Sequence, residues 1–118
     1  MKRRHDVDQI IIQKIIGYCN DIEFTLNRFG NSFDSYVSDI NCRYSCDMCV
    51  LQIGELTKRL TNEFKAEHSE IIWHEIKGLR NVYVHEYEKV DFEQAWKTLK
   101  QSIPELKAQL EEILAAEE

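Results

Sequence analysis

The chain of 118 residues is long enough to bury one core and too short for two, so a single domain over residues 1–118 is expected. Its 43% hydrophobic and 31% charged residues are those of an ordinary globular protein, and a formal net charge of −6 weighs against a broad basic surface that binds nucleic acid without selectivity. No DNA partner is expected, and an RNA partner would be held locally, in a cleft. With only four Gly and one Pro, and with Val, Ile and Thr outside alternating runs, turns must be few and elements long. The prediction is an all-α, antiparallel bundle of four to five helices.

The chain starts Met1-Lys2-Arg3-Arg4-His5 and reaches Ile10-Ile11-Ile12, an order reminiscent of a signal peptide. Asp6, Asp8, Gln13 and Lys14 interrupt any apolar stretch, and no small-residue cleavage site follows. No run is apolar enough for a membrane, so a cytoplasmic location is expected. In that reducing compartment Cys19, Cys42, Cys46 and Cys49 would be free thiols.

From about Val7 to Phe29, Ile11, Ile12, Ile15, Ile16, Cys19, Ile22, Leu26 and Phe29 recur at three- and four-residue spacing. The spacing predicts an amphipathic helix ended by Gly30. Asn31 or Ser32 can cap a second helix, whose apolar pattern from Phe33 through Ile40, Met48, Ile53 and Leu60 predicts one long element to about Phe64. Gly54 is its one weak point. Lys65 to Ser69 reads as a connection. A third helix follows through Ile72, Trp73, Ile76, Leu79, Val82 and Tyr83. Asp91 and Gln94 have capping-box spacing and open a fourth helix through Phe92, Trp96, Leu99 and Ile103. Pro104 lacks the N–H that the ladder needs, so an interruption is predicted there, with Ser102-x-x-Glu105 recapping the helix. Leu106, Leu110, Ile113 and Leu114 carry one apolar face toward an acidic tail, Ala115 to Glu118.

Chemistry-bearing residues crowd at one place, Arg80-Asn81-Val82-Tyr83-Val84-His85-Glu86-Tyr87, at the C-terminal end of the third helix. Arginine is a permanent forked cation that matches phosphate, histidine exchanges a proton near neutral pH, and tyrosine supplies a hydroxyl. At about 100° per residue, Arg80 and Tyr87 differ by roughly 20° around the helix, while Arg80 and His85 differ by roughly 140°. One copy therefore carries half a pocket, and two copies across a symmetric dimer would supply a whole one. These groups suit cleavage of RNA by its own 2′-hydroxyl without a metal. His85 would be general base or acid, Arg80 would hold the scissile phosphate, and Asn81 would donate a positioning hydrogen bond. The plainer alternative is structural: Arg80 pairs with Glu75 or Glu86, His85 packs at a helix end, and Tyr83 and Tyr87 cover the core.

A resemblance separates these readings. Ile53-Gly54-Glu55-Leu56-Thr57-Lys58-Arg59-Leu60, Ile72-Trp73-His74-Glu75-Ile76, Gly78-Leu79-Arg80-Asn81, His85-Glu86-Tyr87, Val90-Asp91 and Pro104-Glu105-Leu106 resemble the HepT toxin family of the HEPN superfamily. The family motif, Arg, four residues, His, one residue, Tyr, is met by Arg80, His85 and Tyr87, and Asn81 takes the polar position after the arginine. The resemblance implies a HEPN-like homodimer with both motifs lining an interface cleft. It also implies a cofactor-free, metal-independent endoribonuclease toxin of a type VII-like toxin–antitoxin system. The partner would be a minimal nucleotidyltransferase antitoxin able to transfer AMP to Tyr87, placing charge and bulk beside Arg80. Glu86 and Glu88, on either side of that tyrosine, depart from many relatives. The competing reading is a non-catalytic HEPN protein whose cleft holds a nucleotide or the partner.

Other signals have simpler readings. Cys42, Cys46 and Cys49 have the spacing of an iron–sulfur loop, but such enzymes need a far larger fold, so core thiols on one helix face are expected. His68 and His74, with Glu70 and Glu75, match no helical metal-ligand spacing and read as solvated residues. Trp73 and Trp96 read as core anchors before base-stacking platforms.

Overall fold

The computed structural model describes residues 2–117, with side chains from Asp6 to Glu117. The side chains of the basic start, Met1 to His5, and the last residue of the acidic tail, Glu118, lie outside the described residues. Among the described residues there are seven α-helices and no strand: α1 (Lys2–Arg28), α2 (Phe33–Ser38), α3 (Ile40–Arg59), α4 (Asn62–Glu67), α5 (Trp73–His85), α6 (Phe92–Lys97) and α7 (Ile103–Ala116). The all-α expectation holds, with the four long helices forming the bundle and the three short ones serving as its corners.

Contacts along the long helices fix their directions. On α1 and α3, Asp8 meets Thr61 just beyond the end of α3, so the start of one helix lies beside the end of the other. On α3 and α5, Gly54 faces Arg80 while Asp47 meets Tyr83 and, just past the helix, Tyr87. Gln9 and Glu23 of α1 reach Glu117 and Lys107 at the far and near ends of α7. Each neighbouring pair is antiparallel, in the order α5, α3, α1, α7. The periodic residues Ile12, Ile15, Cys19, Ile22 and Leu26 of α1 are buried against Cys42, Cys46, Val50 and Ile53 of α3, which is what their spacing predicts.

Gly30, at φ +88°, ends α1, and Asn31 follows at φ 53° with its N–H on the Leu26 carbonyl (2.6 Å). Ser32, the second of the two predicted candidates, caps α2 by accepting the Ser35 N–H at 3.1 Å. The long element predicted from Phe33 to Phe64 is three helices. Asp39 stops α2 and caps α3 through the Asn41 N–H (2.9 Å), and Thr61 caps α4 through the Phe64 N–H (3.1 Å). Apolar spacing continued across both breaks because each new helix buries the same side. Local capping by short polar side chains, which competes with the helical ladder, set the boundaries instead. Thr61 is itself held by the buried Asp8, which accepts its N–H at 3.0 Å and its hydroxyl at 2.7 Å.

The predicted interruption at Pro104 takes a different form. The ladder widens over Thr98–Ser102 so that the Ile103 N–H reaches back five residues to the Thr98 carbonyl, and the helix runs on. Ser102 keeps helical dihedrals and caps nothing; its hydroxyl donates to Glu75 at 3.3 Å. Asp91 behaves as predicted, accepting the N–H groups of Glu93 (3.0 Å) and Gln94 (3.2 Å). The short α6 delivers Phe92 and Trp96 onto Tyr36 of α2, with ring centroids 6.1 and 5.9 Å away. Both tryptophans are half-buried packing residues, Trp73 lying 6.2 Å from the Phe64 ring.

Candidate active site

Helices α3 and α5 carry the site, and Gly54 sets their separation. A β-carbon there would stand 2.5 Å from Cβ and 2.6 Å from Cγ of Arg80, so the predicted weak point of the long helix is the notch that admits the arginine. The stem of Arg80 lies in that notch, leaving its side chain 15% exposed, and Nε and Nη2 both donate to Glu55 one residue along α3. Nη1 donates to the Asn81 side-chain oxygen at 2.9 Å. Arg80 holds the Glu55 carboxyl below the usual glutamate range, first through the hydrogen bond and then through its charge. The partner is thus Glu55, and neither Glu75 nor Glu86, the carboxylates suggested by sequence proximity. Glu75 receives the Ser102 hydroxyl, and Glu86 faces Lys89 at 3.5 Å.

His85 is the last residue of α5 and is exposed, making no hydrogen bond, ion pair or ring contact with the described residues. Its backbone carries it roughly 140° around the helix from Arg80. One chain therefore joins Arg80 to Asn81 and leaves His85 free on another flank. After His85 the chain leaves the helix at Glu86 (φ −144°, ψ 44°) and makes a single 3-10 turn over Tyr87–Lys89.

That turn folds Tyr87 back toward α3, where its hydroxyl donates to Asp47 at 2.7 Å. Asp47 is 5% exposed and also accepts the hydroxyls of Tyr83 (2.8 Å) and Tyr36 (2.6 Å). Burial pushes the Asp47 carboxyl upward, while the three hydroxyls and the nearby Arg43 guanidinium pull against it. Burial and the adjacent carboxylate push Tyr87 up to about 12, opposed by Arg43. Arg43 lies with its guanidinium 5.4 Å from the Tyr44 ring centre and 5.1 Å from that of Phe92. Beside this cluster is a hollow of about 180 Å³ lined by Tyr44, Asp47, Met48, Leu51, Tyr83 and Tyr87. A larger hollow of about 270 Å³ lies between α1 and α7 and is lined by none of the motif residues.

Glu55, Asp47 and Arg43 were not singled out by the sequence. Asp47 had a signal: it lies at i−3 from Val50 and i−7 from Gly54, a lone carboxylate on the buried stripe of α3, opposite tyrosines spaced i, i+4. A buried carboxylate demands hydroxyl or N–H donors.

The cysteines are thiols on the α1–α3 seam, with Cys19, Cys42 and Cys46 buried and Cys49 half-buried. The His68 ring lies tilted against that of Phe64, with centroids 4.6 Å apart, and faces Glu70 at 3.6 Å, while His74 is exposed. Among the described residues no group of three or more His, Cys, Asp or Glu is placed to hold a metal ion, and no helix is long and apolar enough to cross a membrane.

Residues 12–113 match the family described as HepT-like ribonuclease. A protein named as a candidate RNase from Caldanaerobacter subterraneus subsp. tengcongensis is 38% identical over 98 residues, covering 82% of this chain and 88% of its own. A protein named as a candidate ribonuclease HepT from Thermococcus cleftensis is 35% identical over 81 residues, covering 69% and 74%. A candidate RNase of Methanocaldococcus jannaschii is 30% identical over 101 residues, covering 85% and 81%. No solved structure matches the chain significantly. The antiparallel helical bundle and a family match that takes in α3, α5 and the turn after it make this chain a member of the HepT-like ribonuclease family.

Proposed function

We propose that this protein is a metal-independent endoribonuclease that uses the RNA 2′-hydroxyl as nucleophile. That oxygen attacks the adjacent phosphorus, the 5′-oxygen leaves, and a cyclic phosphate results. His85 moves the proton, taking it from the 2′-hydroxyl or giving it to the leaving oxygen. Arg80 neutralises charge on the phosphate oxygens, and Asn81, whose side-chain oxygen is occupied by Arg80, keeps its amide N–H groups for the substrate. The observation that carries this reading is the contrast between a sheltered, doubly held Arg80 and an unengaged His85 at the end of the same helix. A cation kept in place and an imidazole kept free are what phosphate binding and proton transfer respectively require.

Since one chain leaves the two groups on separate flanks, the reactive unit is a homodimer. Tyr44 (52% exposed) and Met48 (54%) of α3 and Val84 (45%) of α5 offer an apolar face next to the motif. The protein acts as a toxin, restrained by a minimal nucleotidyltransferase antitoxin that AMPylates Tyr87. The phenolic oxygen takes the α-phosphoryl of ATP, pyrophosphate leaves, and the phenolic proton is released.

Purified protein tests the chemistry directly. RNA cleavage should persist in EDTA and fall by about 10²–10⁴-fold in His85→Ala, with the melting temperature unchanged because the side chain has no partner. A wild-type protein that binds RNA or nucleotide and never cuts would replace this reading with a non-catalytic one. Growth arrest on expression, relieved by a co-expressed nucleotidyltransferase that adds the mass of one AMP to the wild type and none to Tyr87→Phe, tests the control.

A further inference from the structure

We infer that Asp47 is a positioning residue for His85, acting through a clamp of two tyrosines that straddles it. Tyr83 and Tyr87 stand two residues before and two residues after His85, and both hydroxyls end on the one Asp47 carboxylate, at 2.8 and 2.7 Å. The first anchors the last turn of α5 to α3. The second anchors the non-helical turn that follows. Between these points the chain changes conformation within two residues, from helical His85 through Glu86, at φ −144° and ψ 44°, to the 3-10 turn. The end of α5 would otherwise fray, because its last carbonyls have no partners within the helix. Tyr87 is half-buried, its ring packing 6.3 Å from that of Tyr44 and 5.7 Å from that of Tyr83; these contacts hold it near α3, and the directional hydrogen bond to Asp47 fixes its position and with it where His85 leaves the helix.

This inference rests on the proposed catalytic role of His85, and it alters the account of control. An oxygen 2.7 Å from a buried carboxylate can stay there only while it carries a proton to share. A phosphodiester on Tyr87 has no such proton and adds a negative charge beside Asp47. Modification and clamp therefore exclude each other, and AMPylation would release the turn next to His85 as well as crowd Arg80.

The test compares Tyr87→Phe, Asp47→Asn, their double variant and Tyr36→Phe. Tyr36→Phe removes a donor to the same carboxylate from a helix remote in sequence from His85. Two readouts are followed in purified protein without nucleotidyltransferase: the NMR resonances and titration of the His85 imidazole, and kcat and KM for RNA. Tyr87→Phe should shift the imidazole resonances and lower kcat about 10- to 100-fold with KM within about twofold. The double variant should be no worse than the worse single one, and Tyr36→Phe should leave the imidazole signal in place. An unmoved signal in Tyr87→Phe, or an equal shift in Tyr36→Phe, overturns the clamp. If the wild type cuts no RNA, the proposed function fails, while the imidazole signal still decides the clamp.

Discussion

Gly54 on α3 and Arg80 on α5 occupy one another's space: a β-carbon at position 54 would lie 2.5 Å from the Arg80 β-carbon. Two effects compete in Gly54→Ala. Alanine in a helix interior gains about 1 kcal/mol over glycine, whereas forcing carbon into a filled contact costs about 1–3 kcal/mol. The obstructing atoms are Cβ and Cγ, close to the α5 backbone, so rotating the guanidinium away gives no relief and the helices must part. Gly54→Ala should show a net loss of up to about 2 kcal/mol in chemical denaturation and misplace Arg80, reducing RNA cleavage. A variant as stable as the wild type would show that the two helices yield easily.

The same pair shows what the sequence conveys and what it withholds. Periodicity announced the helices, their buried faces and the end of α5 at the motif, because burial of one face is a local pattern repeated many times. It read Gly54 only as a weak point, since the neighbour that requires a glycine lies 26 residues later. It missed the breaks at Asp39 and Thr61, where a single capping side chain outweighs an uninterrupted apolar pattern. Arg80, Asn81, His85 and Tyr87 stood out as a string, but their partners did not. Glu55 and Asp47 belong to α3, and only the register between helices selects them from the other carboxylates.

In the proposed reaction Glu55, which already pairs with Arg80, would compete with phosphate for that guanidinium. Its carboxyl titrates below the usual range, so it remains ionised at neutral pH and holds the guanidinium throughout. Glu55→Gln removes the competing charge while Asn81 still accepts from Nη1. KM for RNA at low salt should fall several-fold. The logarithmic dependence of binding on salt should steepen by about 0.7, the value for one more phosphate contact on a single strand. The wild type should approach this behaviour only in acid, as pH falls through the lowered Glu55 value. An unchanged salt slope would mean that Arg80 does not meet the phosphate.

Met48 is 54% exposed between Tyr44 and Leu51, at the rim of the hollow beside Tyr87. A charge there meets water in a single chain and a desolvated surface in a homodimer. Met48→Glu should leave helix content and melting nearly unchanged at low concentration. It should also halve the mass measured by light scattering and abolish most cleavage. A fully active dimer with glutamate at this position would place the interface elsewhere.

The thiols should be inert. Burial, the leading cause in each case, pushes Cys19 up to about 12 and the half-buried Cys49 up to about 11. At pH 8 the Cys49 thiolate is then on the order of one part in a thousand, and the thiolate is the reactive form. Native protein should react over hours with an aromatic disulfide reagent, and denatured protein should release four equivalents at once. A fast native equivalent would reveal opening of the α1–α3 seam.

Asp47 gives stability a pH dependence whose sign can be worked out. Its carboxyl titrates above the ordinary 3.8 because burial penalises the anion more than its donors reward it. A folded-state value above the unfolded one means that the native chain holds the proton longer, so the associated stability is complete below the unfolded value and is lost as pH rises through the folded one. The tyrosines do not obscure this: Tyr87 titrates only near 12, and burial moves Tyr36 and Tyr83 higher still, so all three remain donors across the acid and neutral range. Asp47→Asn keeps the shape, removes the titration and turns an amide toward one of the hydroxyls. It should cost about 1–3 kcal/mol in acid below the ordinary carboxylate value, and measurably less at pH 8. Denaturant unfolding of both proteins across that range measures the gap. A gap that widens toward pH 8 would mean that the three hydroxyls and Arg43 stabilise the buried anion more than burial opposes it.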